Sequence, residues 1–177
     1  MHETHASSQT HAAWQDPLPR TAERAIIKPF GIRITPDDSP VEPERFSGYH
    51  TGIDYEILPG EEGTDVPVFA ICGGELRLKR VADGYGGVAV QECQRDGDTV
   101  TVVYGHLRLS SIDAHVGEYL TPGESIGVLG NGFSEETDGE RKHLHLAIHS
   151  GPAIELRGYV SAIDALGAWL DPGTPQQ

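Results

Sequence analysis

The stretch Thr99-Val100-Thr101-Val102-Val103-Tyr104-Gly105-His106 decides the fold class. Side chains alternate between the two faces of a β-strand, so Val100, Val102, Tyr104 and His106 share one face. An apolar face that ends on an imidazole reads as a strand with His106 at its tip. Just before it, Asp96-Gly97-Asp98 is a tight-turn signal.

Outward from this strand, Pro59-Gly60, Gly73-Gly74, Asp83-Gly84, Gly86-Gly87 and Pro122-Gly123 separate further apolar runs and mark successive antiparallel strands. Twenty-two glycines and twelve prolines in 177 residues leave little room for long helices. The expected fold class is mainly β, an antiparallel sheet or sandwich. The exception is residues 161–170, where Ala162, Ile163, Leu166, Trp169 and Leu170 fall at helical spacing before Asp171-Pro172. One short C-terminal amphipathic helix is expected there.

The length suits one domain with a modest core. Residues 1–24 show no sustained period and read as a flexible leader, residues 25–172 as the domain and residues 173–177 as a tail. His2 and His5 are three apart, not the four that places two ligands on one helix face, so His2, His5 and His11 are not read as ligands. No apolar signal-like segment precedes residue 20. No run approaches the roughly 18 apolar residues that cross a bilayer as a helix.

A formal charge of −14 argues against nucleic acid, whose binding rests on Lys and Arg neutralising phosphates, and against adhesion to an anionic membrane. Cys72 and Cys93 read equally well as one disulfide or as two buried thiols.

Two segments carry chemistry. In Tyr49-His50-Thr51-Gly52-Ile53-Asp54, Gly52 and its neighbours disfavour a helix, so a bend into a strand would let His50 and Asp54 converge on one ion. In Lys142-His143-Leu144-His145-Leu146-Ala147-Ile148-His149, Leu144, Leu146 and Ile148 alternate with histidines. One face enters the core and the other presents imidazoles, one able to bind a metal while its neighbour acts on water. A His, an Asp and a His offer the neutral nitrogens and anionic oxygen that zinc accepts in a four-coordinate site with one position left open. Taken singly, each histidine also reads as a turn, strand-end or surface residue. Together they ask for a common explanation. His149, at the strand's far end, reads as a rim residue.

In this order and with these residues, the chain resembles the lysostaphin-type or LytM-type zinc metalloendopeptidases that cleave peptidoglycan peptides. The matching pieces are Lys28-Pro29-Phe30-Gly31-Ile32-Arg33, His50-Thr51-Gly52-Ile53-Asp54, Val66-Pro67-Val68-Phe69-Ala70, Tyr104-Gly105-His106-Leu107, Val116-Gly117, Gly123-Glu124, Ile126-Gly127 and His143-Leu144-His145. The resemblance implies a duplicated hybrid motif fold, one Zn2+ per chain held by His50, Asp54 and His145, and catalytic roles for His106 and His143 at the activated water and the oxyanion. It also implies peptidoglycan peptides as partners, a monomer, and an extracytoplasmic location. Departures are Lys142 before the paired histidines and Leu146-Ala147 after them. The loop 131–142 is longer and more acidic than the family's short turn. Tyr49, Asn131, Glu135 and Glu136 are candidate groove residues. The acids Glu135, Glu136, Asp138 and Glu140 are expected to favour substrates with free amines.

Three other functions compete. A biotinyl or lipoyl carrier would need a lysine at an exposed hairpin tip, and none is evident. A histidine phosphocarrier would use paired histidines without Asp54. A non-catalytic wall-binding or hydrolase-regulating module would keep zinc without turnover.

Overall fold

In the computed structural model, which describes residues 13–174, the chain forms twelve short strands among those residues. They are β1 (Arg33–Ile34), β2 (Gly48–His50), β3 (Gly52–Glu56), β4 (Pro67–Phe69), β5 (Gly74–Ala82), β6 (Gly86–Arg95), β7 (Asp98–Gly105), β8 (Tyr119–Leu120), β9 (Ser125–Val128), β10 (His143–Ser150), β11 (Tyr159–Val160) and β12 (Trp169–Leu170). A seven-stranded antiparallel sheet runs β12-β10-β7-β6-β5-β8, with β3 also on β10. Because β7 takes one edge of β10, β3 and β12 share the other, β3 along its first half and β12 at Ile148 and His149. Separate small sheets are β1-β2-β11 and β4-β9.

The alternation holds in β7 as far as Tyr104, but the strand ends at Gly105 and His106, expected on the same face, turns away from it at φ 64°. Val100, Val102 and Tyr104 enter one core cluster, together with Leu144, Leu146 and Ile148 of β10, and Val68 and Ile126 of the β4-β9 pair cover them. Each such fully buried aliphatic side chain contributes roughly 1.5–3 kcal/mol over an exposed one. The opposite face carries a smaller cluster of Tyr85, Val88, Val90, Val103, Ala147 and Trp169. The β6-β7 hairpin turns on Asp96 at φ 53° and Gly97 at φ 88°, between the paired Arg95 and Asp98. Two positive-φ residues match the right-handed twist of the flanking strands.

Gly52 lets β3 lie close against β10. A Cβ there would stand 2.3 Å from the Leu146 carbonyl oxygen.

Three expectations are refined. The helix over residues 161–170 is a 3-10 segment, Ile163–Ala168, after which Trp169 and Leu170 join the central sheet as β12. Gly167 weakens the run, and pairing with β10 claims the two largest apolar residues of the predicted helix face. Residues 13–24, expected in the loose leader, are packed. Leu18 is 1% exposed in the main core, and the backbone bonds of Gln15 to Ile71 and Phe69 to Pro17 fasten the segment. Trp14, Pro17 and Leu18 anchor it without any regular spacing, so they leave no periodic trace. His2, His5 and His11 lie outside the described residues, as do residues 175–177 of the tail. Of the two cysteine readings, the disulfide Cys72–Cys93 is the one present.

Candidate metal centre

The register of β3 against β10 sets His145 opposite Asp54 and His143 opposite Glu56. Directly opposed residues of antiparallel strands project to the same face, so Asp54, His143 and His145 form one patch. His50 reaches it because the chain changes sheets at this point. It closes β2, where it pairs with Tyr159, and then crosses through Thr51, whose hydroxyl donates to the Arg157 carbonyl at 2.7 Å, into β3. The expected bend is this crossing.

The three side chains converge tightly. His50 Nε2 lies 3.0 Å from His145 Nδ1 and 3.2 Å from Asp54 Oδ1, and His145 Nδ1 lies 3.1 Å from Asp54 Oδ1. A tetrahedral zinc site with bonds near 2.0–2.1 Å has ligand-to-ligand edges of about 3.3 Å. A single ion therefore fits this triangle of donors with only slight expansion. The donor chemistry, two imidazoles and a carboxylate, also suits zinc.

Surrounding contacts aim these atoms. His50 Nδ1–H donates to the Pro29 carbonyl at 3.2 Å, which leaves the Nε2 lone pair facing the triangle. The Tyr85 hydroxyl approaches His145 Nε2 at 3.4 Å, on the side away from Asp54. Such outer contacts orient ligand rings and fix their tautomers. Gly105 gives Tyr85 its place, since a Cβ there would come within 2.5 Å of the tyrosine ring.

Electrostatics agree with ligation. Burial pushes the His145 pKa down to about 4, so the ring is neutral at pH 7. Burial pushes the Asp54 carboxyl up, yet the facing histidines His50, His143 and His145 hold it well below the usual carboxylate range. Neutral imidazole and ionised carboxylate are the ligating forms.

His106 and His143 stand beside the triangle. His106 follows β7 with φ 64°, a conformation uncommon for a non-glycine residue. That turn brings its ring to 4.2 Å, centroid to centroid, from His143. His143 Nδ1–H donates to the Arg141 carbonyl at 2.8 Å, and its Nε2 lies 3.3 Å from Asp54 Oδ2. His106 Nδ1 is buried without a protein partner among the described residues, and burial holds this ring well below the ordinary histidine pKa. Asp54, His106, His143 and His145 line a pocket of about 330 Å³, walled by Tyr85, Tyr159, Phe46 and Arg141.

Other expected residues are placed differently. Tyr49, Asn131, Glu135 and Glu136 are not among the residues lining this pocket. The acids of the 131–142 loop largely meet the chain's own cations. Glu136 takes Arg108, while Asp138 and Glu140 take Arg45 at 3.0 and 2.8 Å. His149 stacks edge-on against Trp169 away from the site. Arg141, Tyr85 and Tyr159 reach the site although the sequence reading did not single them out. For Arg141 the signal was available, because it continues the two-residue alternation of His143 and His145.

A family model described as peptidase family M23 matches residues 48–156, well over half of the chain and all five of these histidine and aspartate positions. No curated protein sequence matches the chain. Among solved structures, the chain is similar to the catalytic domain of the antimicrobial peptidase lysostaphin from Staphylococcus simulans, with a TM-score of 0.60 at 19% identity over 92% of this chain and 95% of that one. It is also similar to LytU, with a TM-score of 0.56 at 20% identity over 91% and 88% of the two chains. A third likeness is to a zinc-containing peptidase from Vibrio cholerae, with a TM-score of 0.54 at 22% identity over 78% of this chain and 37% of that one. At these identities the likeness establishes the fold, mainly β and antiparallel.

Proposed function

The chain belongs to peptidase family M23, and from that premise we propose that it is a zinc-dependent endopeptidase hydrolysing peptide bonds of bacterial peptidoglycan outside the cytoplasm. The observation that carries the reading is the triangle of His50 Nε2, Asp54 Oδ1 and His145 Nδ1, with edges of 3.0–3.2 Å, beside an open pocket. The relatives support a zinc peptidase, since lysostaphin is described as an antimicrobial peptidase and the Vibrio protein as a peptidase containing zinc.

In this reading His50, Asp54 and His145 hold one zinc ion. Three protein ligands leave a fourth position, the arrangement of catalytic rather than structural zinc. When bound, zinc supplies a Lewis acid for the scissile carbonyl and acidifies a water molecule.

The other steps belong to the protein. His106 and His143 are the acid–base pair. His106 Nδ1 has no protein partner among the described residues, so its ring nitrogen is available for proton transfer. The Arg141 carbonyl holds the proton of His143 on Nδ1, and the ring's Nε2 lies beside Asp54 Oδ2 at the edge of the metal site. An imidazole that takes the proton of the attacking water returns it to the leaving amine. While charged, it also stabilises the oxygen that gains negative charge. Tyr85 and Tyr159 form apolar ring walls of the pocket beside these groups.

The test is a gel zymogram on purified peptidoglycan with wild type, His145→Ala and wild type treated with a chelator. Clearing by wild type alone, restored to the chelated sample by zinc, is the expected result. Clearing by His145→Ala equal to wild type contradicts the reading.

A further inference from the structure

Asp54 divides its two oxygens between two sets of partners. Oδ1 faces the donors of the triangle, 3.2 Å from His50 Nε2 and 3.1 Å from His145 Nδ1. Oδ2 faces Arg141 Nη2 at 3.2 Å and His143 Nε2 at 3.3 Å.

The guanidinium does not reach Oδ2 by chance of a flexible side chain. Glu56, two residues after Asp54 on the same strand face, takes Arg141 Nε at 2.9 and 3.1 Å and Nη2 at 2.5 Å. Forked ion pairs of this kind fix a guanidinium plane as well as its position. Both members are largely enclosed, with 15% and 12% of their side chains exposed, so solvent screens the pair weakly. Two interleaved rows result, Asp54 and Glu56 on β3 facing Arg141, His143 and His145 on and just before β10.

A carboxylate ligates metals through one oxygen or both. A second oxygen without a partner is free to swing onto the ion and occupy the position a substrate or water would need. Here that oxygen is already engaged by a cation that an adjacent acid holds in place.

Building on the zinc reading above, we propose that Arg141 is a positioning residue that keeps Asp54 a one-oxygen ligand and so preserves the open position at the metal. Arg141 acts through Asp54 and need not touch substrate. Glu56 is its anchor.

The experiment uses the full chain loaded with cobalt(II), whose visible absorption is intense when four-coordinate and weak when the coordination number rises. Wild type is expected to bind one cobalt per chain with the intense spectrum. Arg141→Gln is expected to bind cobalt but lose most of the visible intensity. Because that variant leaves Glu56 without its partner, the double variant Arg141→Gln/Glu56→Gln, which removes both charges in near-isosteric form, is measured alongside and is expected to show the same loss. An intense spectrum retained in either folded variant overturns the role of Arg141 and leaves the metal reading standing. A wild type that takes up no cobalt contradicts the metal reading itself.

Discussion

His145 Nδ1 stands 3.0 Å from His50 Nε2, although 95 residues separate them along the chain. Contact between two buried imidazole nitrogens, with Asp54 against both, is unfavourable to leave as a bare cluster and natural around a cation. The substitutions that separate ligands from acid–base residues follow from this. His145→Ala and Asp54→Ala are expected to lose zinc, read by metal analysis after dialysis, together with activity. His106→Ala is expected to keep zinc and lose about 10²–10⁴-fold in turnover, the usual contribution of a positioned acid or base. Full activity in His106→Ala would remove that residue from the mechanism.

Gly52 is where β3 comes against β10, and a methyl group there meets the Leu146 carbonyl at 2.3 Å. Backbone cannot yield as a flexible side chain does. Gly52→Ala is therefore expected to cost about 2–4 kcal/mol, roughly 5–15 °C in melting temperature for a domain of this size. It should weaken zinc binding as well, because the same contact sets Asp54 opposite His145. Calorimetry with and without zinc checks both effects.

Much of this architecture was legible in the sequence, and the reason is period. Residues 99–104 and 143–149 alternate, so β7, β10 and the common face of His143 and His145 could be read directly, whereas His106, expected on the face of Val100, Val102 and Tyr104, turns beyond the strand at φ 64° and stands against His143 and Tyr85 on the other side. The partner of β10 could not. Asp54 and His145 lie 91 residues apart, and their register is a tertiary choice that no local pattern encodes. Arg141 continues the alternation of His143 and His145, but it sits at the end of a loop whose Glu135, Glu136, Asp138 and Glu140 dominate any reading by charge. In the fold those acids mostly pair with Arg45 and Arg108, so the segment's excess of charge is largely balanced locally.

Lys28 and Glu44 form an ion pair with side chains each 2% exposed, and Lys28 Nζ also donates to the Tyr159 hydroxyl at 3.0 Å. Burial pushes the Glu44 carboxyl up, but donation from Lys28, Phe46 and Ser39 holds it below the usual range. In wild type this group's stabilisation is present above the unfolded carboxylate value of about 4.3 and is lost as pH falls through the lower folded value. Lys28→Met leaves the acid buried without its cation and is expected to cost about 3–5 kcal/mol at pH 7. Phe46 and Ser39 still donate to Glu44, but without Lys28 burial weighs more and the folded pKa of Glu44 rises relative to wild type. Acidification toward pH 5 should narrow the gap between variant and wild type. Denaturant titrations at pH 7 and 5 check the sign, and a gap that widens on acidification contradicts it.

Cys72 and Cys93 close a loop with a sequence separation of 21. Neither lines the pocket that holds the metal centre. Replacing both by alanine is expected to cost about 3 kcal/mol, chiefly by freeing the unfolded chain, with zinc stoichiometry unchanged. Melting curves and metal analysis on the same preparation separate these two effects.

Anomalous diffraction at the zinc edge, from crystals of the full chain grown with zinc, addresses the site itself. One ion is predicted within about 2.0–2.2 Å of His50 Nε2, Asp54 Oδ1 and His145 Nδ1, with no fourth protein ligand. An anomalous peak elsewhere, or an ion enclosed by four protein donors, would contradict the account.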